Sequence, residues 1–148
     1  MFRLTARSLS IFLLLVMLPF HLHAEQKKSF GDYDVHYSVL NTTFITPENA
    51  KHYGITRSKN RALINIAIRK NHSDGTSTAQ RAIVSGSSSD LIHRSELEFN
   101  EVIESDAIYY IAQLPFNDKE LRSFDIKVQP DANISPYSLK FSKTLYQQ

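Results

Sequence analysis

A short basic segment holds the densest group of side chains that could bind a ligand: Arg57, Lys59 and Arg61 lie within five consecutive residues. Cations at this spacing can hold an anion or a carboxylate of a partner. They can equally bind the carbonyl groups at the end of a preceding helix. The sequence favours this structural role and leaves a binding role open.

Tyrosines near this segment extend the candidate site. Tyr53 comes just before the basic residues, and Tyr109 and Tyr110 are adjacent in a later apolar segment. Tyrosine is enriched at protein interfaces, so these rings could form a recognition surface. Tyr53 could instead pack a helix against the rest of the protein. We therefore take Tyr53, Arg57, Lys59 and Arg61 as the candidate binding residues.

Metal binding is not indicated. The histidines beyond the first 24 residues are His36, His52, His72 and His93, and no two of them have a spacing typical of metal ligands on a strand or a helix. The sequence predicts no metal ion and no other cofactor. A chelator should therefore leave the melting temperature unchanged.

Catalysis is not indicated either. A serine nucleophile needs a histidine, a carboxylate and an oxyanion hole, and no Gly-x-Ser-x-Gly turn is present. Glu101 and Glu104 with Asp106 could form a carboxylate pair. Their position at the end of a predicted hairpin is more typical of solvated acids. We expect the protein not to be an enzyme.

A short helix and a strand should position the basic segment. Thr46 can cap a helix that begins at Pro47, and Gly54 can end it in a left-handed conformation. The helix is predicted at about 47–53. The strand 62–69 follows the basic segment, and Ile64, Ile66 and Ile68 alternate onto one face.

Seven strands are predicted in all, separated by turn signals. They span 33–45, 62–69, 78–85, 96–103, 107–114, 124–129 and 137–146. The first changes its apolar face midway, which indicates a bulge or a crossing between sheets. The serine-rich run 85–89 is interpreted as a loop or strand end, and 117–120 as a capping box with one helical turn. Seven short strands with little helix predict an all-β, immunoglobulin-like β-sandwich.

The first 24 residues have the layout of a cleaved secretory signal peptide. Arg3 and Arg7 precede an apolar run from Leu9 to Phe20, and Ala24 offers a small residue at the cleavage position. The run is shorter than the ~20 residues that span a bilayer, so we expect cleavage and no stable membrane insertion afterwards. We predict residues 25–148 as one domain, exported to the periplasm.

Charge and cysteine content exclude further classes. The chain has 17 Lys+Arg and 15 Asp+Glu residues. The predicted signal removes Arg3 and Arg7 and no acid, so the mature chain is neutral and no nucleic-acid partner is indicated. There is no cysteine, and hence no disulfide, even in an oxidising compartment.

Several short motifs occur along the chain: Gly31-Asp32-Tyr33, Val35-His36-Tyr37, Pro47-Glu48, Ala50-Lys51, Tyr53-Gly54-Ile55, Arg57-Ser58-Lys59, Asn65-Ile66, Asp106 to Tyr110 and Phe141 to Tyr146. Together they resemble the domain-of-unknown-function 4426 family, short exported proteins of Gram-negative bacteria. The stretch Tyr-Gly-Ile-x-Arg-Ser-Lys is the most specific. The resemblance spans the predicted mature chain and implies an immunoglobulin-like sandwich. It implies no activity, cofactor or catalytic residue.

Three functions are consistent with the sequence. The leading hypothesis is a non-enzymatic periplasmic module that binds an envelope protein or another envelope component. The alternatives are a ligand-binding or hydrolase accessory domain that uses the Arg57–Arg61 loop, and a structural envelope protein. A convergent polar pocket would favour the accessory domain, and an open surface or strand edge the binding module.

Overall fold

The structure, a computed structural model, describes residues 26–148 as two antiparallel sheets. The strands are β1 (Gln26–Phe30), β2 (Tyr33–Asn41), β3 (Arg61–Asn71), β4 (Ser77–Ala79), β5 (Ile83–Ser89), β6 (Arg94–Glu96), β7 (Asn100–Glu104), β8 (Ala107–Pro115), β9 (Glu120–Gln129) and β10 (Tyr137–Leu145). Sheet 1 has the order β1-β2-β3-β8-β7, and β4 also pairs with β3. Sheet 2 has the order β10-β9-β5-β6. The predicted all-β class is confirmed.

The main core lies between the two sheets. The predicted inward face of β3 is confirmed, because Ile64 and Ile66 are fully buried and Ile68 almost so. They share one apolar cluster with side chains of sheet 2, among them Phe124, Ile126, Val128 and Leu139. This burial provides the main driving force for folding.

The single α-helix of the described residues, α1 (Pro47–His52), matches the predicted helix closely. The Thr46 hydroxyl accepts a hydrogen bond from the Asn49 amide (3.3 Å) at its N-terminus. Gly54 follows with a φ of +65°, the left-handed conformation expected after the helix. The helix therefore ends where the sequence predicts, and the chain turns back toward β3.

Ten strands replace the seven predicted, for three identifiable reasons. The segment β1 was not predicted, because its exposed residues carry no apolar alternation. The predicted strand 78–85 is divided into β4, which pairs with sheet 1, and β5, which belongs to sheet 2. The predicted strand 96–103 is divided in the same way into β6 and β7. In both cases the chain crosses from one sheet to the other within a segment whose apolar residues suggest a single strand.

The change of face in the predicted first strand has a different cause from a bulge or a sheet crossing. β2 ends at Asn41, and residues Thr42–Phe44 form a 3-10 turn. The Asn41 carboxamide oxygen accepts hydrogen bonds from the Thr43 amide (2.9 Å) and hydroxyl (2.8 Å). This capping ends the strand and turns the chain toward α1.

One local prediction is confirmed in part and one was wrong. The serine-rich run 85–89, predicted as a loop or strand end, forms the C-terminal part of β5, where Gly86 packs so closely on β9 that a Cβ there would lie 2.7 Å from the Asp125 carbonyl oxygen. Residues 117–120 form a turn and not a helical turn, since Lys119 has a φ of +58°. The Asn117 amide nevertheless donates to the Glu120 carboxylate (2.6 Å), so the predicted capping contact exists.

The predicted signal peptide, residues 1–24, lies outside the described residues. Among residues 26–148, no helix is long and apolar enough to cross a membrane.

Candidate functional site

The outer face of sheet 1, which faces away from the main core, carries a second apolar cluster. Its buried members are Ala50 and Ile55, from α1 and the loop after it, and Leu63 and Ile111, from β3 and β8. Leu40, Ile45, Tyr53, Val102 and Tyr109 pack around it and remain partly exposed. We call this group the outer cluster.

Polar contacts hold the segment after α1 against the sheet. Gln113 on β8 donates from its Nε2 to the Gly54 carbonyl (3.2 Å) and accepts from the Thr56 amide through Oε1 (2.8 Å). The Ile55 amide also donates to the Ala50 carbonyl (2.7 Å). Backbone and side-chain hydrogen bonds therefore hold α1 and the loop after it as a cover over the outer cluster.

A groove of about 490 Å³ lies beside this cover, between α1 and the hairpin that joins β7 to β8. Its apolar walls are Leu40, Ile45, Tyr53, Ile55, Leu63, Val102, Tyr109 and Ile111. Asn49, Asn65, Glu104, Ser105, Asp106 and Ala107 complete the lining. The volume lies within the range of small-molecule sites. An apolar group with few polar substituents would fit such a lining.

One polar atom in the groove lacks a partner. The Oδ1 atom of Asn65 is buried and makes no hydrogen bond among the described residues. Asn65 lies on β3 opposite Ser38 of β2 and Ile111 of β8. A buried acceptor without a donor costs roughly 1–3 kcal/mol of stability.

The four candidate binding residues separate in the structure. Tyr53 lines the groove, and its ring meets the His52 ring edge-on at 4.7 Å between centroids. The basic residues Arg57, Lys59 and Arg61 are not part of that lining. Tyr53 therefore belongs to the candidate site, and an anion-binding role for the basic residues stays a prediction.

The loop that carries the basic residues is bonded to the 3-10 turn. The Ser58 amide donates to the Thr42 hydroxyl (2.9 Å), and that hydroxyl donates to the Ser58 carbonyl (3.1 Å). The Asn41 side chain donates to the Lys59 carbonyl (2.7 Å), and the Arg57 guanidinium donates to the Thr43 carbonyl (3.2 Å). These contacts are those expected of a structural loop.

The acids considered for a carboxylate pair, Glu101, Glu104 and Asp106, lie on opposite faces of the hairpin. Glu104 and Asp106 line the groove, whereas Glu101 accepts a hydrogen bond from the buried Tyr110 hydroxyl (2.9 Å). Burial raises the pKa of Tyr110, and its hydrogen bond to Glu101 contributes to the rise. Arg81 pairs with the same carboxylate (2.9 Å), so Glu101 has a structural role at the crossing between sheets.

The histidines are dispersed. His52 contacts the Tyr53 ring, His72 shares a hydrogen bond with Thr78 (2.8 Å), and the His93 ring lies 3.7 Å from Asp90. In residues 26–148, no three His, Cys, Asp or Glu side chains come together as metal ligands would.

Sequence reasoning missed most of the groove. Tyr109 was a candidate recognition residue and does line it, whereas Tyr110 faces the main core. Asn65 was overlooked, although a polar residue between apolar neighbours on a strand with two buried faces was a usable signal. Val102 could not be assigned, because the pattern does not show which face of β7 is covered.

Comparison with solved structures shows related folds. A DUF4426 family protein from Pseudomonas aeruginosa is 34% identical with a TM-score of 0.73, and the match covers 86% of this chain and 99% of that one. FetP from a uropathogenic E. coli, expressed in the periplasm, is 11% identical with a TM-score of 0.58, covering 84% of this chain and 95% of FetP. A copper-bound FetP variant has a TM-score of 0.57 and the same identity, covering 84% and 97%.

At the sequence level, no curated protein matches the chain. A family model described as a domain of unknown function, DUF4426, matches residues 27–148. This match covers nearly all the described residues, and the solved Pseudomonas structure agrees with it. The chain therefore belongs to the DUF4426 family.

Proposed function

We propose that this protein is a non-enzymatic binding module of the periplasm that holds an apolar group of an envelope component in the groove beside α1. The observation that carries the proposal is the groove itself, with eight apolar or aromatic side chains around a volume of about 490 Å³. The predicted signal peptide and the exported family that the chain resembles support the location. The two antiparallel sheets support an immunoglobulin-like classification as part of the same proposal.

The absence of catalysis in this proposal rests on the separation of the candidate groups. The acid Glu101 is bonded within the sheet crossing, and the described lining of the groove contains Ser105 but no histidine that could act as its base. Nucleophilic catalysis needs these groups within hydrogen-bond reach of each other. We also base no metal function on the likeness to FetP, because 11% identity supports only the fold.

A neutral fluorescent probe tests the proposal. N-phenyl-1-naphthylamine brightens in apolar surroundings, so titration of the protein should show saturable binding to one site. Val102→Trp places an indole in the groove and should weaken that binding at least tenfold. Ile103→Trp is the matched control, because Ile103 is the next residue on β7, points to the opposite face and is already exposed.

Both tryptophan variants need an unchanged circular dichroism spectrum and melting temperature for the comparison to count. If the control loses binding as the groove variant does, the probe binds elsewhere and the proposed site is wrong. If the parent protein does not bind the probe at all, the groove is not an apolar binding site.

A further inference from the structure

The hairpin that joins β5 to β6 carries the two most exposed large apolar side chains of the described residues. Leu91 is 95% exposed, and its neighbour Ile92 is 84% exposed. Isolated apolar side chains on a protein surface are normal. Two adjacent ones at the apex of a hairpin form a protruding apolar patch, which is typical of a site that another surface covers.

Asp90 fixes the turn that presents these two side chains. Its Oδ1 atom accepts hydrogen bonds from the Ile92 amide (2.7 Å) and the His93 amide (2.7 Å). The Asp90 amide donates to the His93 carbonyl (3.1 Å). The bonds from the His93 and Ile92 amides lower the pKa of Asp90, so its carboxylate stays ionised and keeps these contacts. Leu91 and Ile92 are therefore held outward by a closed turn.

Two further apolar side chains lie at the same end of sheet 2. Leu121, near the beginning of β9, and Tyr146, just after β10, are both more than half exposed. Leu121 pairs with the residue two positions before Tyr146. Two positions after Leu121, Ser123 pairs with Ser89, the last residue of β5. Leu91 follows Ser89 by two residues, so these side chains lie at the ends of three neighbouring strands, and we call them, with Ile92, the apolar end.

The basic loop lies at this end of the molecule as well. Arg61 pairs with Pro115, the last residue of β8, and only residues 116–119 separate Pro115 from β9. Arg57 and Lys59 are exposed. None of the ion pairs among residues 26–148 contains any of the three basic residues. Their charges are therefore available to an anionic surface beside the apolar end.

The acids on the neighbouring segments are engaged in contacts of their own. Glu120 and Glu96 each form an ion pair with an arginine two residues away. Asp90 and Asp118 accept hydrogen bonds from backbone amides, the latter from Gln147 (2.9 Å). These carboxylates thus do not pair with the basic loop, which keeps its positive charge.

From this arrangement we infer that the protein docks reversibly on a bilayer surface with anionic headgroups. Leu91 and Ile92 enter the interfacial region of the bilayer, and the basic loop faces the headgroups. A bilayer accepts a protruding apolar side chain without a matching cavity, and anionic lipids attract nearby lysine and arginine. None of these residues lines the groove, so the inference goes beyond the proposed function.

Co-sedimentation with vesicles tests the inference. The protein is purified after export, and its intact mass is checked for loss of the predicted signal peptide, whose apolar run would bind lipid by itself. We expect binding to vesicles of phosphatidylcholine and phosphatidylglycerol in roughly 7:3 proportion to be about tenfold or more tighter than binding to pure phosphatidylcholine. High salt should remove most of this preference, because it screens exposed charges.

A double variant tests the hairpin. Leu91→Ser with Ile92→Ser should weaken binding to the anionic vesicles about tenfold or more, because the inserted apolar area is lost. The matched control is Ile83→Ser with Ile103→Ser, which removes two other apolar side chains that are more than half exposed. Ile83 begins β5 and Ile103 lies on β7, both outside the apolar end. The control should bind the vesicles as the parent does.

A triple variant tests the basic loop. Changing its three basic residues together to Ala should reduce binding to the anionic vesicles to the level seen with neutral vesicles. The control changes Lys28, Lys70 and Lys140 together to Ala, which removes the same charge from strands outside the apolar end. It should retain the preference for anionic vesicles. If the first triple variant melts at a lower temperature, the salt dependence of the parent's binding decides the same point.

The outcomes separate the membrane from other occupants. Absence of binding to either vesicle, or equal binding to both, would overturn the inference, and so would equal losses in the hairpin variant and its control. A parent protein that is dimeric by light scattering and becomes monomeric in the hairpin variant would show that a second copy covers the apolar end. Naphthylamine binding should match the parent in all of these variants, so failure of the inference leaves the proposed groove standing.

Discussion

Both faces of β3 carry buried apolar side chains, but they are covered by different structures. The inner face, with Ile64, Ile66 and Ile68, is covered by a whole sheet, so its side chains are almost completely buried. The outer face, with Leu63, is covered by the six-residue helix α1 and the loops beside it. A sheet extends along the full strand, whereas a helix of this length covers less than two turns. The uncovered remainder is the groove.

This difference separates stability from function within one strand. Side chains of the inner face contribute mainly to folding, because burial of apolar area is the dominant favourable term. On the outer face, the partly exposed Tyr53, Val102 and Tyr109 lie beside the closed part of the outer cluster. Those side chains are available to a ligand, so we expect their substitution to change binding more than stability.

The largest expected effect is the difference in stability between the two faces of β3, one covered by sheet 2 and the other by α1 and the loop after it. Ile66→Ala should lower the free energy of unfolding by about 2–5 kcal/mol, because a sheet-enclosed cavity cannot collapse. Ile55→Ala should cost less than about 2 kcal/mol, because Ile55 borders the open groove and its truncation leaves no closed cavity. Urea unfolding of both variants measures the difference. Equal losses would mean that the outer cover packs as firmly as sheet 2.

Asp34 lies on β2 on the face opposite the core residue Val35, and polar contacts join it to the edge strand β1. Asp34 accepts hydrogen bonds from the Ser29 hydroxyl (2.5 Å) and the Lys27 ammonium (3.1 Å), both on β1. The bond from Ser29, then one from Asn71 and the Lys27 charge, lower the pKa of Asp34 to about 2. The folded protein therefore favours the ionised carboxylate.

The second prediction follows from this pKa. Because the pKa is lower in the folded state, the stabilisation is complete above about pH 4 and is lost as the pH falls from 4 through 2. We expect a loss of roughly 1–2 kcal/mol over that interval that Asp34→Asn does not show. The control Asp32→Asn should retain the parent profile. If Asp34→Asn follows the parent profile, the Ser29 and Lys27 contacts do not anchor β1.

Local patterns predicted the elements whose signals lie within a few residues. The cap at Thr46, the left-handed Gly54 and the alternation of Ile64, Ile66 and Ile68 are of this kind, and all are confirmed. The crossings between sheets were missed, because periodicity records which residues are apolar and not which sheet they join. The same limit applies to the site, since Tyr53 and Val102 are 49 residues apart in the chain.

The smallest expected effect on stability concerns the basic loop, which borders the cover of the outer cluster. Changing Arg57, Lys59 and Arg61 together to Ala should alter the free energy of unfolding by less than about 1 kcal/mol, because exposed charges contribute little. The loop backbone keeps its bonds through Thr42, which the substitutions leave intact. Naphthylamine binding should also match the parent, because none of the three lines the groove.

Parallel capture from envelope extract decides whether this loop is a second site. If the triple variant folds and binds the probe as the parent does but loses an envelope partner, Arg57, Lys59 and Arg61 form a binding surface separate from the groove. A melting temperature several degrees lower would show that the basic side chains, one of which bonds the Thr43 carbonyl, secure the fold. Loss of the naphthylamine probe with the fold intact would contradict the separation of loop and groove, because the basic residues would then act on the groove itself.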